Sequence, residues 1–204
     1  MKTTSVFKYA LTVLFVGAFS FKAFTQTSTK AISTSEVNSA PGKHSMGVGL
    51  GQTFLMGDFS SNGDDSITTD IFYSYNASRT FDLLISGHVS DHQVQNKDVR
   101  LMALTTSIKS RVFDFDSFSP FILGGLGFYR PKVTRDVGNG LTKGSNGKYT
   151  FGINFGGGAD LKLNERYTMG ILGILHKPFK IKQDDQADVS GTYFKLLLTL
   201  MYAF

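Results

Sequence analysis

From Met46 to the C-terminus, apolar and polar residues alternate, and no helical three-four spacing of any length interrupts them. In the run YTFGINFGGGADL (149–161), one parity carries Tyr149, Phe151, Ile153, Phe155 and Leu161. The other carries Thr150, Gly152, Asn154, Gly156, Gly158 and Asp160. Side chains of a strand point alternately to opposite faces, so this period predicts strands with one greasy face and one small or polar face. The split recurs with Ile67, Thr69, Ile71, Tyr73 and Tyr75, and again with Phe81, Leu83, Ile85, Gly87 and Val89. With 46–55, 101–112, 121–129, 167–176 and 192–204, these segments predict eight strands, the alternation being least regular in 46–55 and 101–112. The connections alternate too. Segments 76–80, 113–119 and 162–166 are short, whereas 57–66, 91–98, 130–147 and 177–191 are longer and rich in Gly, Asp, Asn and Ser. Short turns at one end and long loops at the other are the pattern of an up-and-down transmembrane β-barrel.

The N-terminal segment follows a different logic. Residues 1–25 have a basic start at Lys2 and Lys8, an apolar core from Ala10 to Phe21, and small residues at Ala23 and Thr25. This predicts a cleaved export signal. Its core falls short of the roughly 20 residues a membrane-spanning helix needs. Residues 26–44 are Ser/Thr-rich without a hydrophobic period and predict a flexible periplasmic lead-in to a barrel over 45–204. Removing the signal removes three lysines and no acid, so the net charge falls from +5 to +2 and a nucleic-acid-binding reading loses its basis. The absence of cysteine excludes a disulfide framework, a zinc ribbon and a thiol nucleophile.

Composition bears on which face is the core. A chain with 22 Gly, 19 Phe and 8 Tyr has a mean hydropathy of only −0.04. A soluble lipocalin-like barrel would turn its apolar face inward and crowd those rings into a narrow interior. A membrane barrel turns them to lipid, with Tyr73, Tyr75, Phe81, Tyr149, Tyr167, Tyr202 and Phe204 near strand ends as interfacial aromatics. No charged residue occupies the apolar parity of the central strand spans, where Lys or Arg at the midplane costs about 2–4 kcal/mol. The other parity carries Gly47, Gly49, Gly51, Gly125, Gly127, Gly152, Gly156 and Gly158 beside Asp70, Asp82, Lys109, Arg111, Asp160 and Lys195. Small residues make room inside a narrow barrel for charged partners. Folding 76–80 and 91–98 as hairpins brings Asp82 opposite the Lys109–Arg111 end of the next strand, predicting an ion pair inside. Asp70 completes the expected set of interior charges.

The last strand, YFKLLLTLMYAF (193–204), carries Phe204, Tyr202, Leu200, Leu198, Leu196 and Phe194 on one parity. A terminal Phe with apolar alternation behind it resembles the C-terminal signal read by the bacterial barrel-assembly machinery, here Phe204, Tyr202 and Leu200. The stretches PFILGGLGFY (120–129) and FGGGADLKL (155–163) resemble the fifth and sixth strands of the small eight-stranded outer-membrane barrels, the OmpA-type transmembrane domain and OmpX- and OmpW-like proteins. The resemblance covers about residues 45–204 and specifies the barrel rather than an activity. With both ends on the short-turn side, the lead-in and the C-terminus are expected in the periplasm and the long loops outside. The expected outer-membrane barrel is monomeric by default and in contact with membrane lipid and lipopolysaccharide. OmpW-like proteins have a hydrophobic lumenal path, from which Asp70, Lys109 and Arg111 depart.

The chain carries few signals of chemistry. GVGLGQ (47–52) matches a dinucleotide loop only superficially, since no helix follows it. His44, His88, His92 and His176 are too scattered for a metal set. His88 and Ser90 share a face, as in barrels that act on lipid A, but the orienting acid is missing: the only glutamates are Glu36 in the lead-in and Glu165 in a turn, and Asp91 has the opposite parity. The basic, Gly-rich segment 130–147 is a candidate contact for lipopolysaccharide phosphates. The expectation is therefore a non-enzymatic barrel without cofactor, acting in envelope structure or surface interaction. A narrow porin-like channel for small solutes is the alternative.

Overall fold

The computed structural model describes residues 42–94, 97–113, 115, 117–136, 142–145, 147–182 and 188–204. The predicted export signal and the lead-in up to residue 41 lie outside the described residues, as do the middles of the segments 130–147 and 177–191.

Nine strands are described: β1 (His44–Met56), β2 (Ser66–Asn76), β3 (Phe81–Val94), β4 (Lys97–Arg111), β5 (Phe118–Asp136), β6 (Thr142–Gly144), β7 (Thr150–Lys162), β8 (Tyr167–Pro178) and β9 (Thr192–Ala203). Eight of them close an all-antiparallel barrel in the order β4-β3-β2-β1-β9-β8-β7-β5, with β5 returning to β4. The first and last strands meet from Ser45 opposite Ala203 to Met56 opposite Thr192, which leaves no open edge along that seam. The short β6 is not part of the closed ring; among the described residues it pairs with the far end of β5, through Thr134–Gly144 and Arg135–Lys143.

The alternation is realised as inside and outside. On β9, Leu196, Leu198, Leu200 and Tyr202 face outward, while Tyr193, Lys195, Leu197 and Thr199 are buried within. Outward apolar residues run from Phe194 to Phe204, a band about 25 Å tall once strand tilt is allowed for. Aromatic rings gather at its short-turn end. Tyr167 and Tyr202 lie 5.3 Å apart, and Phe113, Phe115 and Phe118 stack in series at 6.2 and 6.4 Å.

Strand boundaries differ from the sequence expectation at the long-loop end. β3 runs four residues past Ser90, β4 begins at Lys97 rather than residue 101, and β5 continues seven residues past Tyr129. The segment 91–98 is thus mostly strand, with Val94 paired to Lys97. Likewise, 130–147 holds a hairpin base rather than a plain loop, and His44 belongs to β1 rather than the lead-in. The cause is physical: above the band the outward positions become Asp91, Gln93, Asp98, Arg100, Arg130 and Lys132. Apolar alternation ends there, but ladder hydrogen bonding does not.

Candidate functional site

The interior is built in layers, and glycine makes the layers possible. At the long-loop end, Gly57 adopts a positive φ of 64°, opening a 3-10 turn (Gly57–Phe59) that folds Phe59 inward. Phe59, Leu55, Val99, Leu101, Tyr129, Val133, Ile181, Val189 and Tyr193 form one buried apolar cluster there. A second cluster lies toward the short-turn end: Phe72, Leu84, Phe121, Leu123, Leu172, Ile174 and Leu197. Large rings rest on glycines of neighbouring strands. A methyl group at Gly49 would come within 2.7 Å of Phe72, one at Gly158 within 2.9 Å of Phe121, and one at Gly152 within 2.8 Å of Tyr129. The small residues on the inward parity therefore seat aromatic rings as well as charged side chains.

Among the described residues, the interior cations Lys109, Arg111 and Lys195 are each paired with a carboxylate. Arg111 Nη2 donates to Asp82 Oδ2 at 2.6 Å, and Asn76 Nδ2 donates to Asp82 Oδ1 at 3.0 Å. Lys109 stands directly opposite Asp82 in the ladder, yet its ammonium donates to Asp160 Oδ2 on β7 and sits 4.0 Å from the Phe121 ring centroid. These two pairs frame a cavity of about 90 Å³ near the short-turn mouth, lined also by Ser45, Ser74 and Thr199. Asp70 is elsewhere. It accepts from Lys195 Nζ at the centre of the barrel, where the side chains are 2% and 0% exposed, and its other oxygen lies 3.7 Å from His88 Nδ1. The four interior charges singled out in the sequence thus divide into two groups. Asp160, Lys195 and His88 complete them, and all three were visible only as inward-parity residues of strands distant in sequence.

A polar belt extends from the central pair. His88 Nε2 and the Tyr193 hydroxyl are 2.9 Å apart, the His176 ring stacks on Tyr193 with centroids 4.7 Å apart, and His176 Nδ1 is 3.1 Å from the Tyr129 hydroxyl. Ser107 donates to Asn154 Oδ1 at 2.7 Å. Ser90 does not meet His88. Its hydroxyl lies 3.0 Å from His92 Nε2, and His92 Nδ1 faces the Asp64 backbone carbonyl at 2.8 Å, so no carboxylate orients that imidazole. No group of three metal-ligating residues converges among the described residues. His44 is a rim residue, hydrogen-bonded to the Tyr73 hydroxyl at 2.6 Å and stacked near Phe204. Phe204 itself is 64% exposed, and its backbone N–H donates to the His44 carbonyl at 2.9 Å. Leu200 and Tyr202 share its outward face.

No protein-family model matches the chain, and no curated protein matches it. Solved structures do. Neisserial surface protein A aligns with a TM-score of 0.59 at 12% identity over 79% of this chain and 96% of that one. The attachment invasion locus protein Ail of Yersinia pestis aligns with a TM-score of 0.52 at 14% identity over 81% of this chain and all of that one. At such identities the likeness is one of fold. A closed eight-stranded barrel, lipid-type aromatics outside and paired charges within, and these matches together identify the chain's fold as that of the small eight-stranded outer-membrane β-barrels.

Proposed function

We propose that this chain is an integral outer-membrane barrel that acts in envelope structure or surface interaction rather than as a conduit. The observation that carries this reading is the filled interior: two apolar clusters stand at different depths, with the charges between and below them paired. An eight-stranded barrel has an interior just wide enough for side chains to fill, and continuous water does not share that space. The work then falls to the outer surface. β3, β4 and β5 continue beyond the apolar band with Asp91, Gln93, Arg100, Arg130 and Lys132 facing out. The names of the two similar structures, a surface protein and an attachment protein, favour the same reading. Membrane lipid and lipopolysaccharide are the partners of the outer wall, and Phe204, Tyr202 and Leu200 present the final strand to the assembly machinery. In this reading the barrel acts as a monomer. Catalysis is not assigned, since Ser90 and His92 are buried together without an orienting carboxylate.

The second reading, a narrow channel, is favoured by one observation: the polar cavity between Asp82, Lys109, Arg111 and Asp160. Two experiments test the proposal. The native chain has no cysteine, so Gln93→Cys and Ala77→Cys report sidedness cleanly. On intact cells, an impermeant maleimide is expected to label Gln93→Cys and spare Ala77→Cys; the reverse pattern contradicts the orientation. Proteoliposomes carrying the refolded protein are expected not to swell in small sugars, and swelling above empty liposomes favours the channel.

A further inference from the structure

Among the described residues, the outer wall of the barrel carries an open notch at a glycine. On the outward face of β3, between Ile85 and Val89, the residue is Gly87. A methyl group built there finds no atom nearer than 4.0 Å, whereas at the outward Gly124, Gly157 and Gly173 it meets neighbours at 3.7, 2.9 and 3.2 Å. The notch opens into an apolar groove of about 720 Å³ walled by Ile71, Val89, Met102, Leu104, Phe128 and Tyr149. That volume falls in the range of about 300–1,000 Å³ typical of ligand-holding clefts.

The groove has a charged head. Tyr149, its wall toward the long-loop end, lies under the Arg130 guanidinium, which is 5.3 Å from the ring centroid. Arg130 stands opposite Met102 in the β4–β5 ladder and anchors its Nε on the Gly147 carbonyl at 3.0 Å. One step further along the same outward face are Arg100 and Lys132, paired across the ladder. Arg100 also meets Asp91 at 3.3 Å, with both side chains more than half exposed. An apolar slot that ends under arginines, where the apolar band gives way to charge, is complementary to an amphiphile with acyl chains and an anionic head. Guanidinium groups hold phosphate in two-pronged geometry.

We propose that this groove binds one phosphate-bearing glycolipid of the outer leaflet, an acyl chain lying in the Gly87 notch and a headgroup phosphate on Arg130, with Lys132 and Arg100 flanking. The site rests on the membrane placement proposed above but not on whether the interior conducts. It makes part of the barrel wall a specific lipid seat rather than a uniform solvent-like surface.

The test uses the refolded full barrel in nanodiscs containing equal amounts of lipid A and phosphatidylethanolamine, with retained lipid read by native mass spectrometry. Heat-modifiable gel mobility shows in each case that the barrel has formed. Wild type is expected to retain lipid A over phosphatidylethanolamine by about tenfold, the ratio of a single charge-assisted contact. Gly87→Ile fills the notch, Arg130→Gln removes the head contact, and each is expected to abolish that preference. Equal retention of the two lipids by wild type, or undiminished lipid A on both variants, overturns the proposal. Loss with Gly87→Ile but not Arg130→Gln also counts against it, because acyl binding would then lack the headgroup contact. If Gly87→Ile does not fold, Arg130→Gln alone decides. Failure of wild type to insert at all is a different result, and it contradicts the membrane placement instead.

Discussion

The central ion pair and the mouth ion pairs use the same chemistry in different surroundings. Asp70 and Lys195 meet at 2% and 0% exposure, shielded by apolar clusters and a His–Tyr belt. Asp82–Arg111 and Lys109–Asp160 lie at 5–16% exposure beside a cavity. The centre is shut off from bulk solvent, whereas the mouth has a polar chamber with room for water beside its pairs. The difference teaches that charge inside this barrel does two jobs. At the centre it ties together β2 and β9, which flank β1 and are not themselves paired, and at the mouth it occupies space that a channel would need to leave open.

Breaking the central pair is expected to have the largest effect. Lys195→Met leaves Asp70 buried without its cation and is expected to cost about 3–5 kcal/mol of unfolding free energy, measured by urea titration in lipid vesicles. Adding Asp70→Leu to that variant is expected to restore most of the loss, since an apolar pair of similar volume tolerates the site. A double variant as unstable as Lys195→Met alone would mean that packing, not charge, dominates there.

Second comes the seating of the rings between these regions. Gly49→Ala forces a methyl group to within 2.7 Å of Phe72 and is expected to cost about 1–3 kcal/mol by overpacking. Pairing it with Phe72→Leu is expected to recover part of that cost in the same titration. Third is the mouth: Arg111→Gln is expected to cost about 1–2 kcal/mol, less than the centre because water partly re-solvates Asp82. Its effect is expected to shrink as salt rises, while that of Lys195→Met stays constant, and equal salt dependence would erase the distinction. The smallest effect belongs to the rim. Arg100→Gln removes an ion pair whose side chains are more than half exposed and is expected to change stability by under about 1 kcal/mol.

Much of this comparison could be anticipated from the residues, and part of it could not. Period-two alternation marks the wall wherever lipid demands apolar residues, so Ile71, Leu198 and Phe155 announce the outward face directly. It loses the strand ends at Asp91, Arg100 and Lys132, because water above the band accepts any polar side chain while the ladder continues. Hairpin register brings Asp82 to the Lys109–Arg111 end of β4, since adjacent strands are joined by a turn. Register says nothing about Asp70–Lys195 or Lys109–Asp160. β2 and β9 are separated by β1, and β4 and β7 by β5, so these contacts depend on barrel closure and on how far each side chain reaches across. The His88–Tyr193 contact spans 105 positions for the same reason. Aromatic residues on the polar parity, such as Phe72 and Phe121, gain their meaning only beside the glycines they rest on.

If the interior is filled and its charges paired, no continuous water path runs along the barrel. The most direct test is single-channel recording of the refolded barrel in planar bilayers, on wild type and on Arg111→Gln. No sustained conductance steps are expected from either protein, because the apolar clusters remain when the mouth pair is removed. Stable ohmic steps from wild type, enlarged by Arg111→Gln, would contradict the filled interior and make the mouth charges the gate of a channel.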